Sequence, residues 1–394
     1  MERMWTRGRV LSIGMTAMLV AACTSSATPS PAPASPQGSA QASAAATAGP
    51  KKGGTAYLLM TTATAGSDKF GQMDPQRIYT GEDLAFFGAT IMQSLTAFKL
   101  SADPKEATSL VGDAATDTGT ASADAKSWSF TLRDGLKWED GSAVKCADFK
   151  YGVSRTFATD LITDGPTYAI TYLDIPTVKG FTKDKDGKAQ ESEAPAYVGP
   201  YAKEHQLYAD STLSKKLPND TAAFDKAVTC DGNKITFKLN QPVGDFNYAV
   251  TLGFGAVPNP TDHKGVDTGE AYTLKPWSNG PYKIDKYEPG KGGNLTLVRN
   301  TNWSSAADGG YRGAYPDKWV VQLGLDPTLV DQRLITPTGN DAFALQYGGV
   351  QPENLTKIFK DAKTVQADFT GRAFNDYDVY ARYYWIRTDK VKNV

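Results

Sequence analysis

The chain has 394 residues, of which 40% are hydrophobic and 22% charged. That balance excludes a disordered protein, a collagen and a coiled coil, and the length suffices for two or three domains with their own cores. Lys and Arg number 42 against 43 Asp and Glu, so no basic excess points to a nucleic-acid partner. Two histidines, His205 and His263, and three cysteines leave few ligands for a zinc site.

The N-terminus carries Arg3, Arg7 and Arg9, followed by an uncharged, mostly apolar run over residues 10–22. A mature spanning helix needs about 20 apolar residues, so a run of 13 has the size of a signal-peptide core. It ends in Val20-Ala21-Ala22-Cys23, small residues before a single cysteine. The pattern resembles the lipobox of bacterial lipoproteins, which predicts cleavage after residue 22 and a lipid on the thiol of Cys23. Residues 1–22 take three Arg and one Glu with them, so the net charge moves from −1 to −3. Residues 23–51 follow as a tether. Ala, Ser, Thr, Pro, Gly and Gln dominate it, and such a segment cannot bury enough apolar surface to fold. Lipid, tether and globule in that order predict a folded part on the outer face of the cell membrane. Disulfides persist there, and Cys146 and Cys230, an even number in an exported chain, are expected to pair.

Within the globule, Leu84, Phe87, Ile91 and Leu95 step by three and four behind a break at Gly81, predicting a helix. Trp128, Phe130 and Leu132 alternate with polar residues and predict a half-buried strand. Phe149, Val153 and Phe157 predict a helix. The stretch 181–228 is rich in Lys, Asp, Glu and Ala with few apolar anchors, and reads as a long surface excursion. Ile235, Phe237 and Leu239 predict a strand, as do Trp319, Val321, Leu323 and Leu325. Asp326-Pro327 reads as an N-cap and first helical residue leading into Leu329, Leu334 and Ile335. Strands and helices mix throughout, which argues an α/β or α+β class.

Enzyme signatures are weak. Trp277-Ser278-Asn279-Gly280 lacks the first glycine of a nucleophile elbow. Ser142 and Lys145 stand at S-x-x-K spacing, but no companion element exists and Asp140-Gly141 signals a plain turn. Gly290-Lys291-Gly292-Gly293 lacks the spacing of a phosphate loop. His205 and His263 lie in polar, loop-like sequence, and residues 182–193 match a calcium loop only faintly. No catalytic residue, metal or cofactor is expected.

Three segments carry more information. They are SFTLRDGLKWEDG at residues 129–141, continuing to Ala147-Asp148-Phe149; NGPYKI at 279–284, running on to YEPG at 287–290 and LTLVRN at 295–300; and YPDK at 315–318, followed by Asp326-Pro327 and Asp331-Gln332-Arg333-Leu334. Together they resemble the bacterial extracellular solute-binding proteins of family 5, the peptide, nickel and oligosaccharide group that feeds ABC importers. The motif residues themselves read as turns and packing. The resemblance implies an α/β, two-lobed periplasmic-binding-protein fold of type II-like form, with mixed sheets and flanking helices. It implies domain I at 52–92 and 258–377, domain II at 93–257 with its insert at 181–228, and the start of domain III at 378–394, so only the first lobe is largely present. By position in the family, Tyr79, Thr80, Gly81, Tyr168, Gln346, Tyr347, Gly348 and Tyr384 are the expected ligand-lining residues. The implied protein is a monomeric, lipid-anchored, non-catalytic receptor that hands a small molecule, a peptide first among the candidates, to an ABC permease. Two rival classes remain at this point: a truncated, non-transporting surface protein, and an extracellular hydrolase that depends on Ser142 or Ser278.

Overall fold

The computed structural model describes residues 51–61, 70, 72–101 and 103–374. The expected lipid site at Cys23, Tyr384 and the opening of domain III lie outside the described residues.

A five-stranded mixed sheet forms one layer. Its order is Tyr282–Glu288, Asn294–Arg299, Lys318–Leu325, Thr55–Thr61, Ala344–Tyr347. The strand Thr55–Thr61 runs parallel to both its neighbours, and the remaining pairs are antiparallel. Residues from opposite ends of the chain therefore meet in one sheet. Its core joins Leu58, Leu295, Leu297, Val321 and Leu323 to Phe87 and Ile91 of the region around helix Gly81–Thr90. That helix starts at Gly81, which is its first residue and no break, because Thr80 caps it with its side-chain oxygen. It ends at Thr90, so Leu95 packs beyond the helix, in the other main core.

The second core lies under an antiparallel sheet of order Val228–Asp231, Lys234–Lys238, Ser127–Thr131, Thr120–Ala121. Trp128 and Phe130 point inward from one strand and face Phe237 and Ile235 of the next. Phe237 meets Phe246 and Phe254 edge-on at 5.6 and 5.5 Å, the arrangement that aromatic quadrupoles favour. Helix Cys146–Arg155 lays Phe149 and Val153 on this core, and Phe157 follows just past its end. Cys146, its first residue, is bonded to Cys230 of the edge strand, with Cα atoms 5.9 Å apart.

The stretch expected as a surface excursion is folded. Strands Thr177–Lys183, Ala189–Pro195, Glu204–Tyr208 and Lys216–Pro218 build an antiparallel sheet, and helix Thr221–Ala227 follows. Few apolar residues suffice because the sheet buries little. Gly180 lies directly against Leu207 and Leu217, and Phe224 and Ala227 of the helix enter the second core. His205 is correspondingly buried within its strand. One ring nitrogen bonds the Pro195 carbonyl at 2.9 Å and the other accepts from the Leu207 amide at 2.9 Å.

Two buried ionic clusters tie the layers together. Arg155, fully buried, reaches both carboxylate oxygens of Asp74 at 2.7 and 2.8 Å, Gln76 at 2.5 Å and Asp267 at 3.0 Å. Arg312 spans Asp113 and Asp308 at 2.7 and 2.6 Å and donates to the Gly88 and Met92 carbonyls around the end of helix Gly81–Thr90.

Candidate ligand-binding seam and family

The three motif segments are bolts of the scaffold. Trp138 is fully buried and donates its indole N–H to Asp148 at 3.1 Å. Asp148 also accepts from the Lys145 amide at 2.8 Å, the Asn259 amide at 3.0 Å and the Asn259 side chain at 2.7 Å. Asn279 accepts from the Gln93 amide at 2.9 Å, and a Cβ at Gly280 would stand 2.6 Å from the Thr90 carbonyl, so only glycine fits there. Tyr282 donates to the Pro316 carbonyl at 2.7 Å, which joins the second segment to the third. Asp326 caps helix Pro327–Ile335 by accepting from Leu329 at 2.9 Å.

The candidate nucleophiles are engaged in the same scaffold. Ser142 donates to Asp140 at 2.5 Å within the turn, while Lys145 pairs with Asp262 at 3.0 Å, so the two are not a catalytic couple. Ser278 is buried and donates to the Tyr282 carbonyl. Among the described residues no cluster of three or more His, Cys, Asp or Glu could hold a metal, and no helix is long and apolar enough to cross a membrane.

The expected ligand-lining residues divide into two groups. Tyr79 is 58% exposed, and Thr80 and Gly81 follow it at the N-terminus of helix Gly81–Thr90. The loop at 163–168 lies directly on the turn before them. A Cβ at Gly165 would fall 2.0 Å from the Gln76 carbonyl, and Arg77 donates to the Thr163 carbonyl at 2.9 Å and hydroxyl at 3.1 Å. Tyr168 opens the short helix Tyr168–Tyr172 from this loop, half-buried and stacked on Tyr172. The structure thus brings the Tyr79 and Tyr168 segments to one seam.

Gln346 and Tyr347 are turned into the body. Gln346 donates to Asp331 at 3.1 Å and to the Gly349 carbonyl at 2.9 Å. Tyr347 donates to Asp83 at 2.5 Å, on the first turn of the helix that Thr80 caps. Burial raises the Asp83 carboxyl above its ordinary range, and the bonds from Tyr347 and Thr80 work against that rise. Gly348 follows with φ +115°, a conformation that favours glycine.

Sequence reading missed Arg77 and Asp164. Asp164 lines a pocket of about 190 Å³ at the seam with Gln76, Thr156, Ile162, Pro166 and Ile170, and Arg77 stands 3.9 Å from its carboxylate, outside that lining. Asp164-Gly165 is a turn signal in the sequence, but nothing local says that its carboxylate stands beside a cavity.

The mixed α/β layers are those of two-lobed substrate-binding proteins, of which the chain covers a part. A structure described as clavulanic acid biosynthesis oligopeptide binding protein 2 is 28% identical, with a TM-score of 0.56, over 73% of this chain and 43% of that one. An OppA from Haemophilus influenzae, in complex with the peptide RPPGFSPFR, is 16% identical with a TM-score of 0.50, over 78% of this chain and 48% of that one. The chain spans less than half the length of these proteins. No curated protein matches. The description "Bacterial extracellular solute-binding proteins, family 5 Middle" matches residues 109–390, and the chain belongs to that family.

Proposed function

We propose that this chain is the first lobe of a lipid-anchored, extracytoplasmic receptor that captures a peptide and delivers it to an ABC permease. The observation that carries the reading is family membership over residues 109–390. The likeness to an oligopeptide-binding protein at 28% identity supports a peptide over the family's other solutes. In this reading residues 52–92 and 258–377 form domain I, residues 93–257 form domain II, and the ligand lies along the seam. Tyr79 and Tyr168 offer it a ring and a hydroxyl each, while Thr80 and Gly81 place a helix N-terminus close by. Tyr347 acts from beneath, by holding that terminus through Asp83, with Gln346 and Gly348 on either side of it in the chain. The protein works as a monomer, held to the membrane through Cys23, and carries out no chemistry on its cargo.

Native mass spectrometry of the protein taken from its own membranes, without refolding, tests this. The expected result is a species carrying lipid and a bound peptide that co-purifies with an ABC permease. A protein that is soluble after cell lysis, carries no solute and takes up none of a peptide mixture would overturn it.

A further inference from the structure

The pocket at the seam has a specific chemistry. Its volume of about 190 Å³ holds one side chain and no whole ligand, since drug-sized sites start at roughly 300 Å³. Ile162, Pro166 and Ile170 supply apolar walls. The polar lining side chains are four threonine hydroxyls, one carboxamide and one carboxylate. Thr156 gives its proton to the Val153 carbonyl at 2.7 Å, which leaves its lone pairs. Gln76 has one N–H on the Gly255 carbonyl at 2.7 Å and its oxygen on Arg155 at 2.5 Å, so its carboxamide is anchored in the body. Thr159 and Thr167 bring exposed hydroxyls.

Asp164 is the one ionisable group among the lining residues. Its Oδ2 accepts from the Thr163 hydroxyl at 3.2 Å and forms a long ion pair with Arg77 at 3.9 Å, while Oδ1 has no partner among the described residues. Arg77 points its donors at Thr163, and it is not among the lining residues. Asp164 sits at φ +66°, and Gly165 behind it is wedged against Gln76 and Arg77, so the backbone holds the carboxylate in place.

We infer that this pocket receives a cationic side chain of the captured solute, of the lysine or arginine type. Its carbon stem lies along Ile162, Pro166 and Ile170, and its head group is paired with Asp164 Oδ1. The lining residues include no Lys, Arg or His to pair with an anion. This inference rests on the peptide-receptor reading for its occupant, but the pocket can be tested apart from it.

The experiment uses the full chain and its Asp164→Asn variant. Asparagine also tolerates positive φ, so the loop keeps its shape. Five pentaalanine peptides, each with one lysine at a different position, are titrated calorimetrically against five counterparts carrying norleucine. The expected result is about a tenfold preference for lysine at one position, the modest end for a charge-assisted bond because Asp164 is exposed. That preference disappears in Asp164→Asn while the norleucine affinities stay unchanged. Equal binding of both series, or a preference that survives in the variant, overturns the inference and leaves the peptide receptor standing. If no peptide binds, cadaverine alone decides, read by methyl resonances of isotope-labelled isoleucines. Shifts at Ile162 and Ile170 in the wild type only support the pocket and sink the peptide; no shift sinks both.

Discussion

Replacing Asp148 probes the claim that the family's most distinctive segment is a structural bolt. Asp148 is fully buried and accepts four bonds, from the Trp138 indole, the Lys145 amide and both nitrogens of Asn259. It thereby ties the turn at 138–145 and the start of helix Cys146–Arg155 to residue 259, 111 positions away. A buried donor left without a partner costs about 1–3 kcal/mol. Four donors set a ceiling that water entry and relaxation reduce, so Asp148→Ala is expected to cost on the order of 4 kcal/mol. Asp148→Asn keeps the volume and one acceptor but turns an NH2 toward two donors, and is expected to cost about half as much. Trp138→Phe removes a single donor and costs about 1 kcal/mol. The assay is urea denaturation followed by circular dichroism, with the Asp148→Ala/Trp138→Phe pair as a double-mutant cycle. Because the two residues share a bond, the cycle should be less than additive. A loss below about 1 kcal/mol for Asp148→Ala, or strict additivity of the pair, refutes the reasoning.

Three further outcomes are expected. Removing the disulfide as Cys146→Ser/Cys230→Ser frees a closure of 84 positions and should lower stability by up to about 4 kcal/mol; an unchanged melting curve contradicts this. Arg312→Met strands two buried carboxylates, at about 3–5 kcal/mol. Burial already raises the Asp308 carboxyl, with Arg312 pulling it back down, so the variant raises it further. A carboxyl with a raised folded-state pKa contributes stability below its unfolded pKa and loses it as pH rises through the folded one. The deficit of Arg312→Met should therefore shrink from about pH 7 to about pH 5, and a pH-independent deficit argues against the assignment. Tyr347→Phe deprives buried Asp83 of its donor and should cost about 1–2 kcal/mol with peptide affinity changed little. Unchanged stability with weakened capture would instead give that hydroxyl to the ligand.

Much of this protein was legible from local pattern. Trp128 with Phe130, and Ile235 with Phe237, have the two-residue period of a strand covered on one face, and they form facing strands. Asp326-Pro327 starts a helix because capping and a fixed φ act within one turn. The motif segments announced the family because each must satisfy one buried bolt, such as Trp138 on Asp148. The stretch at 177–218 was illegible. Its strands pair with each other over a thin apolar face, and their exposed charges hide the alternation. Only tertiary structure seated the strand Thr55–Thr61 between strands more than 250 residues downstream, since parallel pairing leaves no local signal. Only tertiary structure turned Tyr347 inward onto Asp83 while leaving Tyr79 exposed, a difference of environment between two residues of the same type. The pairing of the Asp164 loop with the turn at 76–77 is likewise a contact across the chain. A seam of that kind exists only once the separate elements have packed.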